Sequence, residues 1–187
     1  MKINKKAFTL LELMIVVTIL WIIATFSYIP YNFYQNKIKL NLSSNIFSQT
    51  FYEAKNLAIS WIVGEDSNSS IWLYVSKEED FRNKLTFYKI PFDTEVTNIT
   101  DLNDYFYKEV FLQKNIFIDE LWWEENLLFY YSSIDGDLSI YEKSWDSLAD
   151  YTLPETIDIT LSYGESDLDN LKKELIYFVD TNIIDYK

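Results

Sequence analysis

The chain has no cysteine and no histidine, and only three glycines and three prolines. Without cysteine there can be no disulfide and no thiolate metal site, and the usual thiol nucleophile is missing. Without histidine the commonest general base near neutral pH is missing too, and zinc would have to rely on carboxylates alone. No phosphate loop, nucleophile elbow or recognised catalytic spacing takes their place, so neither enzymatic activity nor a cofactor is expected. Asp135-Gly136-Asp137 and Asp167-Leu168-Asp169-Asn170 could offer oxygens to calcium. Neither segment follows the EF-hand pattern, and Asp and Asn at turns usually bond their own backbone, so no metal is expected.

Positive charge is also in short supply: 16 Lys and Arg stand against 29 Asp and Glu, for a net −13. It is unevenly placed. Residues 1–40 carry Lys2, Lys5, Lys6, Lys37 and Lys39 against Glu12, a net +4, which leaves −17 on residues 41–187. An acidic body of that kind repels phosphates, so direct nucleic-acid binding is not expected. A length of 187 residues with 49% apolar content supports one domain with a packed core and perhaps one appendage.

What the chain does have is a long apolar run. Between Ala7 and Ile29 the only charge is Glu12, and a helix of that length measures roughly 33 Å at about 1.5 Å per residue, enough to cross a bilayer. Lys2, Lys5 and Lys6 precede it, so the positive-inside bias keeps the N-terminus cytoplasmic and sends the rest of the chain across. An ordinary secretory signal has a shorter apolar region with a small-residue cleavage site after it. Here the small residue, Ala7, comes before the run, so cutting there would remove the basic leader and keep the helix.

That arrangement resembles the class III signal of type IV pilins and pseudopilins. Ala7 matches the position before the cut, usually glycine in that family. Phe8-Thr9-Leu10-Leu11-Glu12-Leu13 matches its phenylalanine-threonine-leucine-x-glutamate start, and Met14-Ile15-Val16-Val17 follows as expected. The resemblance implies cleavage between Ala7 and Phe8 by a prepilin peptidase, N-methylation of Phe8, and pairing of Glu12 with the N-terminal amine of a neighbouring subunit in a helical filament. It gives a reason for a carboxylate in an apolar helix, where a central charge costs about 2.5–3.5 kcal/mol on insertion scales. The plain alternative is a signal anchor whose glutamate merely reaches the interface.

Pro30 follows the span and can kink the helix by removing one backbone donor. The helix is expected to continue through it. Over residues 38–62 Leu42, Ile46, Phe47, Phe51, Ala54, Ala58 and Ile62 recur at three- and four-residue steps, with Ser43, Ser44, Ser48, Glu53 and Lys55 elsewhere on the wheel, which predicts an amphipathic second half. After a loop by composition, from Gly64 to Ser70, aromatic and β-branched runs predict strands near 71–76, 84–90, 109–118, 127–133, 137–141, 156–163, 174–180 and 183–186. Asp135-Gly136 reads as a hairpin turn and Gly164 as the opening of a long turn. The stretch "FSQTFYEAKNLAIS", residues 47–60, followed by strands, resembles the minor pseudopilins of type II secretion and the related minor pilins.

Glycine scarcity leaves one further mark. Average usage of about 7% would give ~13 glycines, and the six tryptophans (Trp21, Trp61, Trp72, Trp122, Trp123, Trp145) fall largely where glycine would suit better. Trp21 occupies a helix position where the family usually has glycine, Trp122-Trp123 sits in the acidic turn "DELWWEEN", and Trp145 lies within "EKSWDS". A coding sequence in which UGA means glycine, translated as tryptophan, would produce this pattern. Trp72 also reads as an ordinary strand residue.

The fold expected is α+β, a long N-terminal helix packed on an antiparallel β-sheet head. The expected divisions are a basic leader (1–7), the helix (8–62, membrane-spanning over 8–29) and an acidic β-rich head (63–187). The partners implied are prepilin peptidase, other pilin subunits and, before assembly, the inner membrane, with export to an extracellular pilus or a periplasmic pseudopilus. Two rivals stand beside a main filament subunit: a minor subunit at a filament tip that initiates assembly or binds a surface or cargo, and an envelope-anchored enzyme, for which nothing in the sequence argues.

Overall fold

The computed structural model describes residues 9–60, 69–91, 94, 96, 99–122, 125–132, 138–144, 147–150, 154–164, 171–181 and 183–186. Ala7, Phe8, Trp61, Ile62, Trp123, Trp145, Asp135-Gly136-Asp137 and the stretch 167–170 lie outside them. The fold is α+β: among the described residues one long helix, α1 (Leu10–Ser60), is followed by ten strands in antiparallel sheets on which the later part of the helix packs. By contacts the chain divides into two units, Met1–Ile38 and Lys39–Lys187.

The first unit contributes the apolar part of α1. Its side chains are exposed on every side, Leu10, Trp21 and Phe26 by 78, 72 and 76%, the signature of a helix made for lipid rather than for a protein core. By length and composition α1 is able to cross a membrane. Two of its hydroxyls are turned onto the backbone: Thr18 and Thr25 donate to the carbonyls of Met14 and Trp21, both at 2.8 Å, which satisfies them without water. Pro30 lies inside α1, and the helix runs on past it.

In the second unit the buried residues of α1 are Leu40, Ser43, Ser44, Phe47, Ser48, Thr50, Phe51, Ala54 and Ala58. The three- and four-residue spacing holds, but the stripe differs from the one expected. Leu42 is 46% exposed, while Ser43, Ser44 and Ser48 are buried. Each serine is small enough to let the sheets approach and has a partner of its own. Ser43 Oγ accepts from the Gln113 amide at 2.9 Å, Ser44 donates to the Asn41 carbonyl at 2.8 Å, and Ser48 donates to the Ser44 carbonyl at 3.1 Å.

One sheet has six strands in the order β3-β2-β1-β5-β6-β7: β1 (Ser69–Ser76), β2 (Lys84–Pro91), β3 (Phe106–Phe111), β5 (Asn126–Tyr131), β6 (Leu138–Ser144) and β7 (Ser147–Asp150). The other has four in the order β10-β9-β8-β4: β4 (Ile116–Leu121), β8 (Thr156–Tyr163), β9 (Lys172–Phe178) and β10 (Ile183–Tyr186). The single strand expected near 109–118 is two strands, and they belong to different sheets. Asn115, at φ 67°, turns the chain in the left-handed region, which Asn tolerates better than most residues, and the Ile116 amide closes the turn on the Gln113 carbonyl at 2.9 Å. Strand β7 was not foreseen, and β1 starts two residues before its expected position, taking in Ser69 and Ser70. Gly164 does open a turn, at φ 67°.

One apolar cluster joins α1 to the inner faces of both sheets. Phe51 is its hinge point. Its ring meets Phe129 of β5 edge-on at 4.8 Å and Tyr177 of β9 at 5.0 Å, with Phe47 stacked at 5.1 Å. The opposite face of the six-stranded sheet has its own cluster, in which Trp72 stacks on Tyr141 at 5.5 Å and its indole donates to Ser70 Oγ at 2.9 Å, beneath the 3-10 helix Ile99–Tyr105 that supplies Leu102.

Candidate functional site

The one charged side chain in the apolar half of α1 is held by its own helix start. Thr9 precedes Leu10, the first helical residue, and its amide and hydroxyl both donate to Glu12 Oε2 at 2.9 Å. In return Thr9 Oγ1 accepts from the Glu12 amide at 3.2 Å. This is a capping box: Thr at the cap and Glu three residues on satisfy two of the orphan amides that begin every helix, and the carboxylate lies at the favourable end of the helix dipole. The reciprocity is legible in the sequence as Thr-x-x-Glu, a local signal independent of any partner chain. Both donors go to the same oxygen, Oε2.

The remaining expected residues divide by location. Pro30 is in α1, and Ala7 and Phe8 lie outside the described residues. Among the described residues no group of three or more Asp and Glu is placed to hold a metal.

The head's polar clusters tie its own strands together. Asn126 Oδ1 accepts from Tyr74 at 2.8 Å and from Ser76, its amide donates to Glu78 at 2.9 Å, and the Glu78 amide donates to Ser76 Oγ at 2.9 Å. Tyr131 and Tyr177, one from each sheet, meet hydroxyl to hydroxyl at 3.4 Å inside the core, and burial raises the pKa of both. Burial likewise raises Tyr74 and Tyr88, with the Glu109 charge adding to the effect at Tyr88. Tyrosines raised in this way are neutral at working pH.

Two tryptophans speak to the glycine question in opposite ways. Trp122, in the turn after β4, has φ 46°, a conformation natural to glycine and unusual for a bulky side chain. Trp72, by contrast, is well accommodated as an indole.

Residues 2–28 match the family model of the prokaryotic N-terminal methylation motif. The chain thus carries the N-terminal signal found in type IV pilins and pseudopilins. No curated protein and no solved structure matches the chain.

Proposed function

We propose that this protein is a structural subunit of a type IV pilus or pseudopilus, with no catalytic role. The precursor sits in the inner membrane with a cytoplasmic N-terminus. Prepilin peptidase cuts between Ala7 and Phe8, the Phe8 amine is methylated, and the mature chain enters a helical filament through α1, where Glu12 pairs with the Phe8 amine of a neighbouring copy. Pro30 gives the helix a point at which to bend as it packs.

The observation that supports this reading best is the methylation motif on a helix whose apolar run, up to Ile29, carries Glu12 as its sole charge. In a core of packed apolar helices an uncompensated carboxylate is strongly unfavourable, and a neighbour's ammonium is a partner of the right sign. The capping box fits this role, since it orients the carboxylate through Oε2.

Intact-mass measurement of the chain from native membranes and from sheared filaments tests the proposal. A mature species beginning at methylated Phe8, present in filaments, is expected. An uncut chain, or one absent from every filament whose deletion leaves piliation and secretion unchanged, would contradict it. Abundance separates a main subunit, dominant by mass, from a scarce tip subunit.

A further inference from the structure

Two sheet edges of the head carry exposed apolar side chains, and they are not equivalent. Strand β3 ends the six-stranded sheet and exposes Phe106 by 54% and Phe111 by 58%. Strand β10 ends the four-stranded sheet and exposes Ile183 by 46%, beside its cross-strand neighbour Phe178. An open edge presents a row of backbone donors and acceptors, and natural sheets usually guard it with charge. Strand β4, the other end of the four-stranded sheet, follows that rule with exposed Asp119 and Glu120. Strand β3 has only the partly buried Lys108 and Glu109, and β10 one exposed carboxylate, Asp185, beside these apolar side chains.

Charge selects what can cover them. Residues 41–187 carry −17, so two heads repel over most of their surfaces. At the β3 edge the carboxylates are already neutralised: Lys84 pairs with Glu109 at 2.6 Å and Lys108 with Glu53. At the β10 edge Lys173 lies over the Tyr186 ring at 4.3 Å. Asp185 is then the one exposed carboxylate on these two strands, so a like-charged copy can approach here without setting two bare carboxylates together. The lengths also agree, because β3 pairs regularly with β2 over 108–111, before its register shift, and β10 spans four residues, Ile183–Tyr186.

We propose that the β10 edge of one copy adds to the β3 edge of the next, so that heads in the filament are joined by strand pairing as well as by α1. Because the two edges are different surfaces of one chain, the contact is heterologous and repeats without closing, as a filament requires. The inference rests on the filament reading of the preceding subsection.

The cysteine-free chain makes the test clean. Full-length protein carrying Phe111→Cys and Ile183→Cys, both at exposed positions, is expressed with the assembly machinery, and a short bis-maleimide is applied to sheared filaments and, separately, to membranes. A ladder at multiples of the chain mass is expected from filaments of the double variant, and neither a ladder nor dimers from either single variant. Phe111→Cys with Glu120→Cys should give no ladder. Filaments without a ladder overturn the edge pairing and leave the filament reading intact, as would dimers from Phe111→Cys alone or a crosslink to a different chain. A ladder in membranes without filaments would support the pairing and contradict the filament reading. Neither filaments nor a ladder would contradict both.

Discussion

Thr9 and Glu12 hold each other at the start of α1, through two bonds from Thr9 to one carboxylate oxygen and one returned from the Glu12 amide. The carboxylate proposed to meet a neighbour therefore also begins its own helix. Thr9→Ala should remove both side-chain bonds and cost about 1 kcal/mol of local helix stability. Amide exchange in detergent is expected to speed up over the first turn only, with residues 39–187 unaffected. Unchanged protection at the first turn would show that the box contributes little.

Phe51 is the side chain on which α1 and both sheets converge. Phe51→Ala should cost about 3–5 kcal/mol and lower the midpoint of thermal unfolding by roughly 6–20 °C. Its neighbour Tyr52 is 44% exposed, and Tyr52→Ala should cost much less, within about 0.5 kcal/mol. Equal losses in calorimetry would mean that the buried stripe has been assigned to the wrong side of the helix.

High pH should unfold the head steeply. An unfolded tyrosine loses its proton near pH 10, whereas burial keeps Tyr131 and Tyr177 protonated above that in the fold. Above about pH 10 the unfolded chain binds fewer protons than the folded one, so stability present below that pH is lost as pH rises. Each such tyrosine adds a slope of up to about 1.4 kcal/mol per pH unit. Denaturant titrations from pH 8 to 11 should show this decline, shallower in a Tyr131→Phe, Tyr177→Phe double variant. Parallel curves for the two proteins would remove the tyrosine pair from the account.

The positive φ of Trp122 predicts that native protein carries glycine there, and the packing expected of the span predicts glycine at Trp21. Peptide mass spectrometry of protein from its own cells reads both positions directly. Tryptophan masses at both would end the recoding idea and leave Trp122 as a strained turn residue.

What the sequence made legible follows its local signals. Phe47, Phe51, Ala54 and Ala58 announced the buried face by spacing, and β2, β8 and β10 by their aromatic and β-branched runs. Polarity predicts Ser43, Ser44 and Ser48 away from the packed face, whereas they are buried because they are small and their hydroxyls find partners within the turn or from Gln113. The run 109–118 looked like one strand because its apolar pattern is broken only by Gln113, Lys114 and Asn115. The division into two sheets is nonlocal, since β4 pairs with β8 some 40 residues later, and no spacing within either strand encodes that. At the site, Glu12 stood out as the lone charge, while the roles of Ala7 and Phe8 came only through the motif.

Filament assembly by Glu12→Ala tests the central claim most directly. The change makes the span more apolar, so insertion should be preserved or slightly improved, and cleavage at Ala7/Phe8 and folding of the head should proceed. A subunit entering the filament would leave a neighbour's amine without its partner, and losing one member of a buried pair costs about 3–5 kcal/mol, enough to slow each addition by orders of magnitude. With the variant as the only copy, expressed beside prepilin peptidase and the assembly machinery, the count of filaments per cell is predicted to collapse while processed, folded protein accumulates in the membrane. Filaments at the normal count, built from processed Glu12→Ala chains, would contradict the role assigned to Glu12.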